Sequence, residues 1–215
     1  LTGVCLLPER DQPVDAAAPA TRSGLAVRYI GDPMCSWCWG FAPVLQALAE
    51  QAAACGVPLE LVVGGLRQER AALDPAGRVR ILGHWQAVNA MTGQLFNVHD
   101  GLPEGLVYHT EPACRALVTA RQLDSEKVWT LLQLIQEAFY CEGRDVTQAP
   151  VLRELASAAG LPRQAFAEAF DSAATQAATQ KDFAWVQDLG IAGFPTLLAE
   201  HNGQKALLTN GYQPL

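Results

Sequence analysis

The stretch Leu25-Ala26-Val27-Arg28-Tyr29-Ile30-Gly31-Asp32-Pro33-Met34-Cys35-Ser36-Trp37-Cys38 decides the fold. Its first six residues, apolar except for Arg28, read as a strand. Gly31-Asp32-Pro33-Met34 reads as a turn, because Gly, Asp and Pro each favour one. A helical pattern opens at the cysteines. Two thiols three residues apart at a helix start can close a disulfide across its first turn, so strand, turn, Cys-x-x-Cys and helix together point to a redox site.

At such a helix start a cysteine faces unpaired backbone N–H groups and the positive end of the helix dipole, and both favour thiolate over thiol. Cys35 is therefore the expected exposed attacker and Cys38, on the same face and deeper, the resolving thiol. Between them Ser36 offers a hydroxyl, and Trp37 is expected to be exposed as part of a binding surface, with Trp39 beside it. The pair could instead be half of a four-ligand zinc or copper site. That site needs two more ligands, but Cys114 and Cys141 are isolated, and His84, His99 and His109 have no ligand spacing to a cysteine. No metal ligands are assigned.

Working outward, Trp39, Phe41, Val44, Leu45, Leu48 and Ala52 recur at helical spacing to about Ala54, with Pro43 either starting the regular helix or kinking it. Leu59–Val63 is a second strand. Strand character then vanishes for over a hundred residues. Helices are predicted over Val79–Met91, from Glu111 or Pro112 to Arg121, from an Asp124 cap to Cys141, over Pro150–Ala159 behind a Thr147 cap, from Pro162, and over Ala174–Leu189. Thr196–Glu200 and Lys205–Thr209 read as a hairpin about His201-Asn202-Gly203-Gln204. The two strand-bearing ends are each too small to stand alone. They make one sheet layer, residues 25–66 and 173–215, interrupted by an all-helical insert over 67–172. Residues 1–24 read as a flexible arm.

Composition narrows the function. A chain of 215 residues, half of them apolar, supports a real core, and its net charge of −7 supplies no basic face for nucleic acid. No stretch approaches the ~20 apolar residues that span a bilayer, so no membrane partner is expected. Six cysteines are too dilute for a disulfide scaffold. Residues 1–24 lack the basic and apolar regions of a secretory signal, which favours the cytoplasm over the periplasm, although the chain opens at Leu1 rather than Met. A monomer or homodimer is expected.

The second motif is Gly190-Ile191-Ala192-Gly193-Phe194-Pro195-Thr196. A proline just before a strand fits poorly in a central ladder, whereas a cis bond in a tight turn would leave the Phe194 backbone free to pair with an incoming chain. An ordinary trans turn proline is the alternative, and only the upstream Cys-x-x-Cys favours the cis reading.

Asp32-Pro33-Met34-Cys35-Ser36-Trp37-Cys38-Trp39-Gly40-Phe41 resembles the active-site block of the DsbA-type thioredoxin-fold oxidoreductases, and within them of the FrnE-like branch. His84-Trp85 with Thr92–Phe96, Thr110–Ala116, Phe139–Val146 and Gly193–Thr196 are similar to further signatures of that branch, in order, over about residues 25–213. The resemblance implies an α/β, thioredoxin-like fold interrupted by a helical domain. It also implies dithiol–disulfide exchange at Cys35 and Cys38, a cis Pro195 facing them, and Phe194 touching the substrate backbone. A closing helix after the last strand is implied too, whereas the sequence stops at Gly211–Leu215.

Around the pair, Asp32 reads as a turn-forming side chain bonding nearby amides, with a redox role as the alternative. His84, Trp85 and His109 are candidates to line a groove from the insert, Cys114 reads as a buried free thiol, and Glu111 and Arg115 as a helix-face pair. The leading function is a thiol–disulfide oxidoreductase acting on cysteine-containing proteins or small thiols, needing no cofactor, with glutathione as an available thiol partner. A glutathione-dependent isomerase or transferase resembling 2-hydroxychromene-2-carboxylate isomerase or the kappa-class transferases is one alternative, although those carry a serine near the first-cysteine position. A chaperone or soft-metal-binding module is the other.

Overall fold

The computed structural model describes residues 24–214. The N-terminal arm and Cys5 lie, Gly24 apart, outside the described residues. Strand β1 (Leu25–Gly31) leads through the Asp32–Met34 turn into α1 (Ser36–Gly40) and α2 (Ala42–Ala54), then β2 (Leu59–Val63). Six helices follow: α3 (Pro75–Thr92), α4 (Glu111–Leu123), α5 (Lys127–Tyr140), α6 (Ala149–Ala158), α7 (Arg163–Asp171) and α8 (Ala173–Asp188). The chain returns to the sheet as β3 (Thr196–His201) and β4 (Gln204–Asn210). This is the thioredoxin-like α/β core interrupted by a long helical insertion that the sequence implies.

The sheet order is β2-β1-β3-β4. β1 and β2 run parallel with Gly31 opposite Val63, and α1 and α2 supply the crossover that parallel pairing requires. β3 lies antiparallel to β1 with Ile30 opposite Thr196. That register brings the start of β3, and with it Phe194 and Pro195, to the end of the sheet where the chain turns into the cysteines. β3 and β4 are joined by Asn202-Gly203, whose φ values of 50° and 80° suit the tight, left-handed hairpin turn that Asn-Gly favours.

Pro43 breaks the long helix predicted from Ser36 into α1 and α2, with Phe41 closing one and opening the other. A proline has no N–H for the carbonyl four residues earlier, so the Trp39 carbonyl is left without that helical partner. The Gln94 amide from the insert donates to it at 3.0 Å. Helix α3 begins four residues before its predicted start because Asp74 caps it, accepting from the Gly77 N–H at 2.6 Å; such a cap contributes about 1 kcal/mol. Two other predicted caps fall differently. Gln148 rather than Thr147 stands at the N-cap of α6, and Asp124 binds the Glu126 N–H ahead of α5.

The core is continuous between sheet and insert. Trp39 stacks on Tyr140 (6.0 Å, 6°), which packs edge-on against Trp85 at 5.0 Å and Phe96 at 5.1 Å. Edge strand β2 is strapped from the insert side: Arg121 donates to the Leu61 carbonyl (2.7 Å) and forks onto Asp182, whose carboxylate also accepts from the Val63 N–H at 3.2 Å. Edge groups that could template a foreign strand are thus occupied there.

Candidate active site

Cys35 occupies the N-cap position of α1 and Cys38 its third residue, so the helix itself brings the two sulfurs onto one face. Both are free thiols. The Cys35 main chain is pinned by its N–H to the Asp32 carbonyl at 3.0 Å. Its Sγ points at the Phe194 carbonyl, 3.6 Å away, and the Phe194–Pro195 bond is cis. Cys35 is buried, with 6 % exposure, rather than exposed as its place at the helix start suggests, and Cys38 has none, so the two differ in depth with Cys35 the nearer to solvent. Burial first, and then the neighbouring Cys35, push the Cys38 thiol well above its ordinary value.

The flanking aromatics divide by role. Trp37 is half-buried, not fully exposed as its position suggests, because the Tyr212 ring covers it at 5.9 Å. Ser36 is likewise half-buried. Trp39 does not face a substrate surface: it is 6 % exposed, and its indole N–H donates to the Leu95 carbonyl at 2.9 Å. It anchors the insert onto the short helix. Phe194 is half-buried with its ring laid over Gly64, where a Cβ would stand 2.1 Å from the ring.

Asp32 is fully buried and does more than shape its own turn. Its carboxylate accepts from the Met34 N–H (2.8 Å), the Leu66 N–H (2.8 Å), the Thr110 hydroxyl (2.7 Å) and the Cys114 thiol (3.3 Å). Burial raises its pKa, and those hydrogen bonds oppose the rise. The side chain therefore ties the turn before Cys35 to the segment after β2 and to the start of α4. Tyr108 adds a second tie, its hydroxyl donating to the Met34 carbonyl. Cys114 is a buried thiol, pushed up by burial and by the Asp32 charge, which makes it a poor nucleophile.

The other insert candidates lie apart from the sulfurs. His84 is exposed on α3. Trp85 is 1 % exposed inside the aromatic cluster, where its bulk fills core space between Phe96, Phe139 and Tyr140. His109 borders a polar cleft with Arg70 and Arg115; burial, then the Arg70 charge, lower its pKa. Glu111 and Arg115 form the expected pair at 2.9 Å. Among the described residues no group of three or more His, Cys, Asp or Glu side chains is disposed to hold a metal ion, and no helix is long and apolar enough to cross a membrane.

Reading the sequence left Tyr29 and Tyr108 unassigned. The available signal for Tyr29 was alternation along β1, which sets Val27 and Tyr29 on one face and Arg28 and Ile30 on the other. No local signal marks Tyr108, whose contact with Met34 spans 74 residues of sequence.

Comparison with known proteins extends this geometry. The DSBA-like thioredoxin domain family matches residues 27–215. A candidate protein disulfide isomerase from Nitrosomonas europaea is 40 % identical over 89 % of this chain and 92 % of its own, with a TM-score of 0.84. The cytosolic disulfide reductase DsbM from Pseudomonas aeruginosa is 31 % identical over 86 % of this chain and 89 % of its own, with a TM-score of 0.73. Its structure with GSH gives 29 % identity over the same shares and a TM-score of 0.71. The comparison with curated proteins gives no match. With the family matched over nearly the whole described chain and an N-capping Cys-x-x-Cys set against a cis-proline turn, this protein belongs to the DsbA-like thioredoxin-domain family of oxidoreductases.

Proposed function

We propose that this protein exchanges dithiol for disulfide through Cys35 and Cys38, with Cys35 as the sulfur that bonds substrate and Cys38 as the resolving thiol. The observation that carries this reading is the asymmetry of the pair: Cys35 faces the Phe194 carbonyl at 3.6 Å, and Cys38 lies fully buried behind it. In the reducing direction a Cys35 thiolate attacks a substrate disulfide and expels one substrate thiolate. Cys38, once deprotonated, attacks the Cys35 sulfur, releasing the second substrate thiolate and leaving the Cys35–Cys38 bond. Two electrons pass from the protein to the substrate. Oxidation of a dithiol substrate is the same path reversed.

The docking surface assigned to substrate is the Phe194–Pro195 backbone with the half-covered Ser36 and Trp37. Trp39 and Asp32 serve it indirectly, by fixing the turn and the short helix. In this reading residues 25–66 and 173–215 act as the exchange domain, and 67–172 as an insert that buttresses it. Membership of the FrnE-like branch rests on the Asp32–Phe41 block and on the insert motifs. Glutathione is the proposed small-thiol partner and the cytoplasm the proposed compartment. Both are supported by the likeness to a cytosolic disulfide reductase whose structure was determined with GSH.

The test is turnover. Wild-type protein with glutathione should reduce insulin disulfides, and Cys35→Ala should abolish that activity. Unchanged turnover in the variant would overturn the assignment.

A further inference from the structure

Beyond β4 the chain turns back against the exchange site. Asn210 pairs with Thr196, the first residue of β3, and the Gly211 N–H donates to the Pro195 carbonyl at 2.8 Å. The Thr196 hydroxyl holds the same turn from within, donating to the Gly193 carbonyl at 2.9 Å. Gly211 takes a φ of 91°, a left-handed value that a side chain would resist, and Tyr212 follows it onto α1. There the Tyr212 ring stands edge-on to the buried Phe41 at 6.4 Å and lies at 36° to Trp37, 5.9 Å away.

Tyr212 takes no part in the electron transfer, yet it makes one wall with Trp37, a residue between the two cysteines. Both rings are half-buried, so each is held by packing and still meets solvent. The wall exists before a substrate arrives and costs no ordering when one does. It adjoins the Phe194–Pro195 backbone, because the bond from Gly211 ties the residue before Tyr212 to Pro195. Ser36, Trp37, Phe194, Pro195 and Tyr212 are all uncharged at neutral pH. A carboxylate finds no ionic partner among them, whereas an apolar or aromatic side chain finds two rings to pack on. A polypeptide can present such a side chain next to its cysteine. Glutathione, with glutamate and glycine around its cysteine, cannot.

We propose that Tyr212 is a specificity-determining residue: with Trp37 it forms an aromatic platform that receives the apolar residue flanking a substrate cysteine. Polypeptide disulfides with large apolar neighbours are the favoured substrates. This inference rests on the exchange reading above and deepens it. The chemistry stays that of the pair: the reduced protein gives two electrons to a peptide disulfide, forming the Cys35–Cys38 bond and releasing two peptide thiols. Tyr212 exchanges no proton or electron in that step. It acts only by holding the residue beside the cysteine under attack.

The experiment compares two disulfide-linked peptide dimers, one with phenylalanine on both sides of its cysteine and one with serine there. Each reacts in a single turnover with pre-reduced protein, and each rate is scaled to that peptide's rate with free dithiothreitol. Damage to the cysteines slows both peptides alike, so their ratio reads the platform. Wild type should prefer the phenylalanine peptide about 2–10-fold, the range of one aromatic contact. Tyr212→Ala should bring the ratio close to one, and Tyr212→Phe, which keeps the ring, should retain it. Trp37→Ala removes the other ring and should lower the ratio as well, which keeps the platform testable if Tyr212→Ala does not fold. No preference in wild type, a preference unchanged in Tyr212→Ala or Trp37→Ala, or one lost equally in Tyr212→Phe would overturn the proposal while leaving the exchange reading intact. A wild-type protein that reduces neither peptide nor glutathione disulfide would overturn both.

Discussion

At the residue scale, burial gives Cys38 a pH signature. Loss of solvation raises its pKa, so at neutral pH it is held as the thiol and only a small fraction is competent to attack. The sign follows directly. Below its pKa the thiolate fraction grows about tenfold per pH unit, so resolution of a Cys35–glutathione disulfide should keep accelerating from pH 6 to pH 9. Stopped-flow rates that level off near pH 7 would contradict this. Asp32 meets burial in the opposite way, satisfied by four donors drawn from two loops and a helix. Its adjacency to a turn was legible in Asp32-Pro33. Its bonds to Thr110 and Cys114 were not, because they join positions 78 and 82 residues apart, and no local pattern records a tertiary contact of that length.

At the scale of elements, the positions of Cys35 and Phe194 follow from two strand ends meeting. The N–H of Gly64, just after β2, donates to the Gly31 carbonyl at 2.8 Å, which sets the ends of β1 and β2 side by side, while the β3 register brings Phe194 alongside. Gly64 has no side chain where the Phe194 ring lies. Gly64→Ala should therefore push that ring away, shift the carbonyl opposite Cys35 and slow exchange with glutathione. Overpacking of this kind costs about 1–3 kcal/mol of stability. Wild-type exchange and an unchanged melting temperature together would show that Phe194 does not position the site. The same scale explains why Pro43 starts the regular helix, one of the two readings its position allows. Periodicity from Trp39 to Ala52 was real, but Pro43 leaves the Trp39 carbonyl without its helical donor, and the split into α1 and α2 is stabilised by Gln94 from a distant segment.

At the scale of the whole molecule, the sheet and the place of the cysteines could be read because their signals are local: a strand before Cys35, a helix after it, and a proline opening β3. The contribution of the insert was harder to read. Trp85 and Trp39 look alike in sequence to groove-lining aromatics, yet the first fills the insert core and the second joins it to α1 through Tyr140 and Leu95. Aromatic residues carry the same hydrophobic signal in a groove wall as in a core, and only packing separates the two. The insert is thus a buttress for the short active-site helix, held by Asp32, Tyr108, Trp39 and the Arg121–Asp182 clamp. The central claim concerns which sulfur meets the substrate. It is tested most directly by treating the Cys38→Ala variant with glutathione disulfide and mapping the adduct by peptide mass spectrometry. The account predicts one glutathione per chain, on Cys35. A free Cys35, with label on Cys55 or Cys141 or on no cysteine, would contradict it.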